Sequence, residues 1–187
     1  MLPPIYQAVL ILLFCFAHLA QAEEYTPTLF QADYTIRIKG ASIANMTRRF
    51  TRLESGAYQY HSETRTTGLL SLFRKDHIIE RSHWQLDVRK LIPLDYYYEH
   101  SGGKKDRRVK ILFDWTNNRI TNSIDGSSWK MPAAPNVLDK LLYQLAIMYD
   151  LQAGKDSLRY TVADGGKTKI YNFEILGEEI IKTPLGD

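Results

Sequence analysis

The sequence predicts a mainly β protein: a single curved antiparallel sheet or half-open β-barrel, with one amphipathic helix on its concave face. Two patterns indicate this fold. Phe30 to Lys39 alternates apolar and polar residues at every position, which is typical of an antiparallel strand with one buried face. Residues 136–152 instead space their apolar side chains as a helix does. A lone helix among strands must bury its apolar stripe against the sheet.

Strand-like runs continue along the chain, separated by turn residues such as Gly102-Gly103 and Asn117-Asn118. They cover residues 43–53, 57–66, 77–87, 94–100, 108–116, 119–123, 157–162 and 169–176. Because the connections are short, we expect consecutive strands to pair as an antiparallel meander.

The predicted helix covers residues 136–152. Asn136 is expected to cap its first turn, Asp139 suits its positive end, and Gly154 suits its exit. The expected buried stripe consists of Val137, Leu138, Leu141, Leu142, Leu145, Met148 and Tyr149.

Residues 1–22 are predicted to be a signal peptide. Ala8 to Ala20 is an apolar run too short for a membrane-spanning helix, and Ala20-Gln21-Ala22 fits the small-x-small cleavage pattern. We therefore expect a single β-rich domain over residues 23–187, exported to the periplasm, with no transmembrane span once the leader is removed. An uncleaved anchor is the alternative, because the only positive charge before the apolar run is the terminal amine.

Composition excludes several classes of protein. A hydrophobic content of 44% with 12% aromatic residues excludes a disordered chain. A net charge of +3 gives no strong field for nucleic acid, so no nucleic-acid partner is expected. The only cysteine, Cys15, lies in the leader, so no disulfide can form within the mature chain.

The C-terminal residues 177–187 read as a turn and the start of a strand that has no returning partner. This pattern predicts that a C-terminal hairpin is missing and that the strand at 169–176 has an open edge. A genuine terminus that frays is the alternative.

The sequence contains no assembled catalytic set. Glu80 and His83 would share a face on a helix and could bind metal there, but on the predicted strand they point to opposite faces. A Gly-x-Ser-x-Gly elbow and a His-Glu-x-x-His motif are both missing from the sequence. We therefore predict a protein that is not an enzyme, with no catalytic residue, metal site or cofactor.

Two loops suggest binding instead. Residues 68–73 (GLLSLF) are an apolar run between two strands, where loops are normally polar. They are expected either to line a pocket mouth or touch membrane, or to pack under the sheet as ordinary core. Residues 104–108 (KKDRR) are either a basic contact for anionic headgroups or a solvated hairpin tip.

Several short segments occur in a characteristic order. They are Ala32-Asp33-Tyr34, Thr66-Thr67-Gly68-Leu69, Glu80-Arg81-Ser82, Pro93-Leu94-Asp95-Tyr96, Phe113-Asp114-Trp115, Val137-Leu138-Asp139 and Thr183-Pro184-Leu185-Gly186. In this order the chain resembles the bacterial envelope family known as domain of unknown function 3108. The resemblance implies an exported β-rich protein of a Gram-negative bacterium and, because the family has no established activity, it supplies no catalytic residues. The architecture also resembles half-open barrels of the lipoprotein-carrier type, in which apolar ligands bind between the sheet and an inner helix.

We therefore expect a non-enzymatic periplasmic protein that binds a lipid or another apolar envelope molecule. The predicted lining residues are Tyr34, Ile36, Leu70, Phe73, Phe113 and Trp115. The alternative is an envelope interaction or scaffold protein with a fully packed core and no ligand, which docks a protein partner along a sheet edge or the basic loop.

Overall fold

The computed structural model describes residues 27–180, and its largest element is a sheet of eight strands. They are β1 (Phe30–Ile38), β2 (Ala41–Arg52), β3 (Tyr58–Thr66), β4 (His77–Asp87), β5 (Lys90–Ser101), β6 (Arg107–Asp114), β7 (Arg119–Ile124) and β8 (Ser127–Pro132). The strands lie in sequence order and every neighbouring pair is antiparallel. The predicted meander is therefore confirmed.

A second, smaller unit follows the sheet. It consists of β9 (Leu138–Asp139), the helix α1 (Leu142–Gln152), β10 (Leu158–Asp164) and β11 (Lys167–Phe173). β10 lies between β9, which it pairs in parallel, and β11, which it pairs antiparallel. A 3₁₀ turn (Gly68–Leu72) interrupts the connection between β3 and β4.

One hydrophobic core joins the two units. It runs from Phe50 on β2 to Ile120 on β7 and includes Leu142 and Leu145 from α1. Strands this far apart can share a core with one short helix only if the sheet curves around that helix. The sheet is not closed, because β1 and β8 are its two edges. The predicted curved antiparallel sheet with a helix on its concave face is confirmed.

The tightest part of the core is a stack of aromatic rings across β2, β3 and β4. Trp84 stacks on Tyr58 and Phe50, with ring centroids 4.7 Å and 5.6 Å away. Such pairs contribute about 0.5–1.5 kcal/mol beyond their buried area. They hold the sheet in register where no disulfide can.

The β10–β11 hairpin is fastened to the far edge of the large sheet by Trp129 of β8. The Trp129 indole Nε1 donates a hydrogen bond to the Gly166 carbonyl at 3.3 Å. Gly166 has a φ of +78°, and a Cβ atom there would lie 1.9 Å from the Trp129 ring. The position therefore needs glycine for both its backbone conformation and its close contact with the indole.

The helix begins later than the sequence pattern predicts. Residues 136–152 were expected to be helical from Asn136 onward, but α1 starts at Leu142. Asn136 adopts a φ of +53°, which no helix residue has, and Leu138 and Asp139 pair with β10 instead. Met148, expected in the buried stripe, is 41% exposed. Strand pairing in the tertiary structure overrides the helical pattern here. The sequence analysis also missed β8.

Some predictions fall outside the described residues. The predicted signal peptide, residues 1–22, lies entirely outside them. The prediction of a missing hairpin rests on residues 177–187, of which 181–187 also lie outside. Among residues 27–180, β11 pairs only with β10 and is an edge strand, as the analysis of residues 169–176 expected. Over the same range no helix is long and apolar enough to cross a membrane.

Candidate functional site

A buried carboxylate joins the small unit to the large sheet. Asp139 is fully buried, and its Oδ2 accepts a hydrogen bond of 2.5 Å from the Ser82 hydroxyl on β4. Its Oδ1 accepts the backbone N–H groups of Leu141 (2.9 Å) and Leu142 (2.8 Å). Burial raises the pKa of Asp139 to about 6, against the lowering effect of these donors. Asp139, which was matched only to the positive end of the helix, thus accepts the N–H groups at the start of α1. The prediction that Asn136 caps the helix is wrong, because α1 begins six residues later.

A second polar pair lies on the same concave face. The Tyr96 hydroxyl on β5 donates a 2.7 Å hydrogen bond to Oε2 of Glu80 on β4. Burial, reinforced by the charge of Glu80, raises the pKa of Tyr96 well above its usual range. The raised pKa keeps the Tyr96 hydroxyl protonated as the donor to Glu80.

A concave cavity of about 260 Å³ adjoins Tyr96. Apolar and aromatic side chains of β5 and β6 line it on one side: Tyr96, Tyr98, Val109 and Ile111. The start of β6 and the small unit supply Arg107, Lys140, Ala163, Asp164 and Gly165. The volume lies just below the roughly 300–1,000 Å³ of typical ligand pockets, so it suits one end of an amphiphile.

The rim of this cavity carries positive charge. Asp164 forms a close ion pair with Lys169 (2.7 Å) and lies 3.9 Å from the Lys140 ammonium. Arg107 forms no ion pair with any other residue in the described range 27–180. An apolar floor with cations at its rim is chemically suited to an apolar tail with an acidic head group.

An unpaired amide lies beside the cavity floor. Asn122 on β7 is fully buried and is the cross-strand neighbour of Ile111, which lines the cavity. Neither its Nδ2 nor its Oδ1 has a hydrogen-bond partner among the described residues. Buried polar atoms without partners are unusual in folded proteins and mark a place to look for a ligand group.

A larger cleft of about 450 Å³ lies among the ends of β5, β6 and β7, and several of its charged groups are paired. Arg107 and Lys110 also line it and form no ion pair within residues 27–180. Arg108 pairs with Glu99 at 2.9 Å, and its backbone N–H donates to Asp125 at 2.7 Å. The Asp106 carboxylate accepts the Gly102 N–H. The cleft lies between the ends of the β5–β6 and β6–β7 hairpins, and these contacts are those that hold the two hairpins.

The six predicted lining residues do not all come together. Tyr34 lies at the middle of β1 and is 46% exposed, and Ile36, two residues further on, is half-buried. Following the paired residues from strand to strand leads from Tyr34 on β1 to Arg107 on β6, so these two residues lie at the same level along the strands. Phe113 lies six residues beyond Arg107, about 20 Å along that strand. The pairs Tyr34–Ile36 and Phe113–Trp115 are therefore well separated.

The other four residues have different surroundings. Phe113 is buried and stacks on Trp115 at 5.8 Å, and the Trp115 indole donates to the Pro93 carbonyl at 2.7 Å. Leu70 is 37% exposed and Phe73 is 85% exposed on the 3₁₀ turn. None of the six lines the cavity beside Tyr96. Their role in ligand binding stays a prediction.

The histidines of β4 lie on the face away from Glu80, as the strand interpretation of this segment expected. His83 Nδ1 lies 3.0 Å from Asp95, and His77 Nε2 lies 2.8 Å from Glu63. Each ring is therefore paired with its own carboxylate on the outer surface. Glu80 faces the concave side with Ser82, so it cannot share a metal ion with His83.

Sequence reasoning missed the cavity, although signals for it were present. The alternation of β6 placed Val109 and Ile111 on one face, and the run Tyr96-Tyr97-Tyr98 put aromatic rings on both faces of β5. The contribution of Lys140 and Asp164 could not be seen, because it depends on how the small unit folds back. Ser82 and Asp139 are 57 residues apart in sequence.

The fold and the cavity define a class: a curved-sheet β protein with an inner helix and a small concave pocket. Residues 30–187 match the family described as "Protein of unknown function (DUF3108)", and the chain belongs to this family. The resemblance inferred from the segment order is thereby confirmed. Comparison with curated proteins and with solved structures finds no match.

Proposed function

We propose that this chain is a non-enzymatic periplasmic protein that binds a lipid or another apolar envelope molecule with an acidic head group. One observation carries the proposal: the concave cavity has an apolar floor of Tyr98, Val109 and Ile111. Its rim carries Arg107 and Lys140, together with Asp164, whose carboxylate is paired with Lys169. An acyl chain fits the floor, and a carboxylate or phosphate fits the rim.

Two further observations support it. The Asn122 amide beside the floor has unpaired donor and acceptor atoms among the described residues. The apolar run of residues 8–20 with its small-residue cleavage pattern agrees with the proposed export to the periplasm. The buried Ser82, Asp139 and Tyr96 and the half-buried Glu80 are hydrogen-bonded to one another or to the backbone, which favours a structural role for them.

A dansyl-labelled fatty acid tests the cavity directly. We expect its fluorescence to rise on binding to the wild-type chain. The double change Arg107→Gln with Lys140→Gln should weaken binding by roughly 10-fold or more, because charge-assisted contacts to the head group are lost. Val109→Trp should abolish binding by filling the floor.

Arg108→Gln is the matched control for Arg107→Gln. The two residues are adjacent on β6, but Arg108 faces the outer surface and pairs with Glu99. Its loss should leave probe binding unchanged. Wild-type affinity in the correctly folded Val109→Trp and double variants would contradict the proposal.

An envelope scaffold protein is the second candidate, and the edge strand β11 favours it. Ile170 and Phe173 are 46% and 40% exposed on this edge. A partner could add a strand there. A stable complex that survives Val109→Trp but is lost when Thr168 is replaced by proline would support this reading.

A further inference from the structure

One end of the large sheet collects alternate connections of the meander. Because consecutive strands run in opposite directions, the connections after β1, β3, β5 and β7 all lie at the same end. Residues 39–40, 67–76, 102–106 and 125–126 form them. We call this the 3₁₀ end, after the 3₁₀ turn it contains.

Large apolar side chains protrude from the 3₁₀ end. Leu69, Leu72 and Phe73 are 81%, 73% and 85% exposed. Ile38, at the end of β1, is 58% exposed. The sequence analysis allowed these turn residues to be ordinary core, and the structure excludes that for all three. Exposed apolar clusters of this kind mark interaction surfaces.

The turn that presents these side chains is held in place. The Thr67 N–H donates to the Ile43 carbonyl at 2.9 Å, and the Ser71 hydroxyl donates to the Gly68 carbonyl at 2.7 Å. A Cβ atom at Gly68 would lie 2.7 Å from the Ser42 carbonyl oxygen, so the turn lies directly against β2. The apolar residues are therefore presented by a fixed backbone.

Lysines surround the apolar turn. Lys39, Lys75, Lys104 and Lys105 are all exposed, and none forms an ion pair with a residue in the described part of the chain. The connections lie side by side, because a Cβ atom at Gly102 would lie 2.1 Å from the Lys75 carbonyl oxygen. The acids of this end are already engaged: Asp76, for example, is bonded to Arg74 and His100.

We infer that the 3₁₀ end docks on the surface of an anionic phospholipid bilayer. Leu69, Leu72 and Phe73 enter the boundary between headgroups and acyl chains, while the four lysines contact phosphates. Charge complementarity selects this occupant, because unpaired lysines around a small apolar tip match a negatively charged membrane surface. Each cation near such a surface adds about 1 kcal/mol, or roughly fivefold in partitioning.

A local fluorescent reporter tests the docking. The chain is purified from the envelope of bacteria that export it, in a Cys15→Ser background. An environment-sensitive nitrobenzoxadiazole label is attached at Leu69→Cys or, for comparison, at Arg89→Cys in the β4–β5 turn at the opposite end. With vesicles containing phosphatidylglycerol, emission should rise at position 69 and stay constant at position 89. Vesicles of phosphatidylcholine alone should give little response, and added salt should reduce the rise.

Matched variants separate the apolar and charged contributions in vesicle sedimentation. Leu72→Ser with Phe73→Ser should weaken binding on the order of 100-fold, since two large apolar side chains are lost from the interface. Lys104→Gln with Lys105→Gln should weaken it roughly 30-fold. The controls are Val88→Asn and the pair Arg89→Gln with Lys90→Gln, which alter exposed groups of the same kinds at the opposite end.

The outcomes are decisive in both directions. Loss of vesicle binding in the 3₁₀-end variants alone, with unchanged thermal unfolding, supports the inference. Wild-type binding by the serine variant, equal losses in the controls, or no response of the label to anionic vesicles overturns it. The inference does not depend on the cavity, because Val109→Trp should leave vesicle binding intact.

Discussion

At the scale of single residues, Asp139 does the most to join the parts of the molecule. Its carboxylate bonds to β4 through Ser82 and to the first residues of α1 through two backbone N–H groups. The sequence indicated only that Asp139 suits the positive end of the helix, and it assigned the cap to Asn136. The contact with Ser82 depends on the pairing of β9 with β10, which no local pattern reveals.

The raised pKa of Asp139 predicts an unusual pH dependence of stability. In the unfolded chain an Asp carboxyl releases its proton near pH 4, whereas folded Asp139 holds it to about pH 6. The folded state binds more protons within this window, so the Asp139 contribution falls as the pH rises from about 4 to 6 and is constant above. Its full size is up to about 3 kcal/mol.

Asp139→Asn should remove this contribution while keeping an acceptor for the backbone N–H groups of Leu141 and Leu142. Urea unfolding from pH 4 to pH 7 measures the difference between wild type and variant at each pH. We expect the variant to gain relative to wild type as the pH rises. Asp139→Ala, the control, should be less stable than Asp139→Asn by about 1–3 kcal/mol at every pH, because the buried donors lose their acceptor. A difference between wild type and the Asn variant that is independent of pH would contradict the account.

At the scale of elements, those defined by local sequence patterns could be predicted, whereas those defined by contacts between residues distant in sequence could not. The strands of the meander were predictable because each has one buried face and a short connection. The start of α1 was not, because residues 136–141 have a helical pattern but Leu138 and Asp139 within them pair with β10. β8 was missed because Ser127–Pro132 buries little and has no clear alternation; Trp129 packs instead against the β10–β11 hairpin.

The contact between Trp129 and Gly166 provides a test of how the hairpin is attached. Gly165→Ala and Gly166→Ala both place a side chain at positive φ, but only the second also clashes with the indole ring. Both should lose about 1 kcal/mol or more from backbone strain. Gly166→Ala should lose about 1–3 kcal/mol beyond that, the range for overpacking.

A Trp129→Ala background identifies the cause of the difference. Without the indole, the two alanine variants should be equally stable in urea unfolding, because only the strain at positive φ remains. If Gly166→Ala stays the less stable of the two in that background, the Trp129 contact does not fasten the hairpin.

At the scale of the whole molecule, the cavity and the 3₁₀ end are close together. Arg107, at the rim of the cavity, follows directly after the connection that carries Lys104 and Lys105. The proposed ligand cavity and the proposed membrane-docking end are therefore neighbours on the molecule. The sequence indicated the apolar turn and the basic loop separately. Their adjacency follows from the meander, which places alternate connections at one end.

The most direct test of the central claim is native mass spectrometry of the protein purified from an envelope fraction. The account predicts an added mass that is released as an acidic lipid on mild activation, and that is missing from a folded Val109→Trp variant. A bare mass for the well-folded wild-type protein, or the same adduct on the Val109→Trp variant, would contradict lipid binding in the concave cavity.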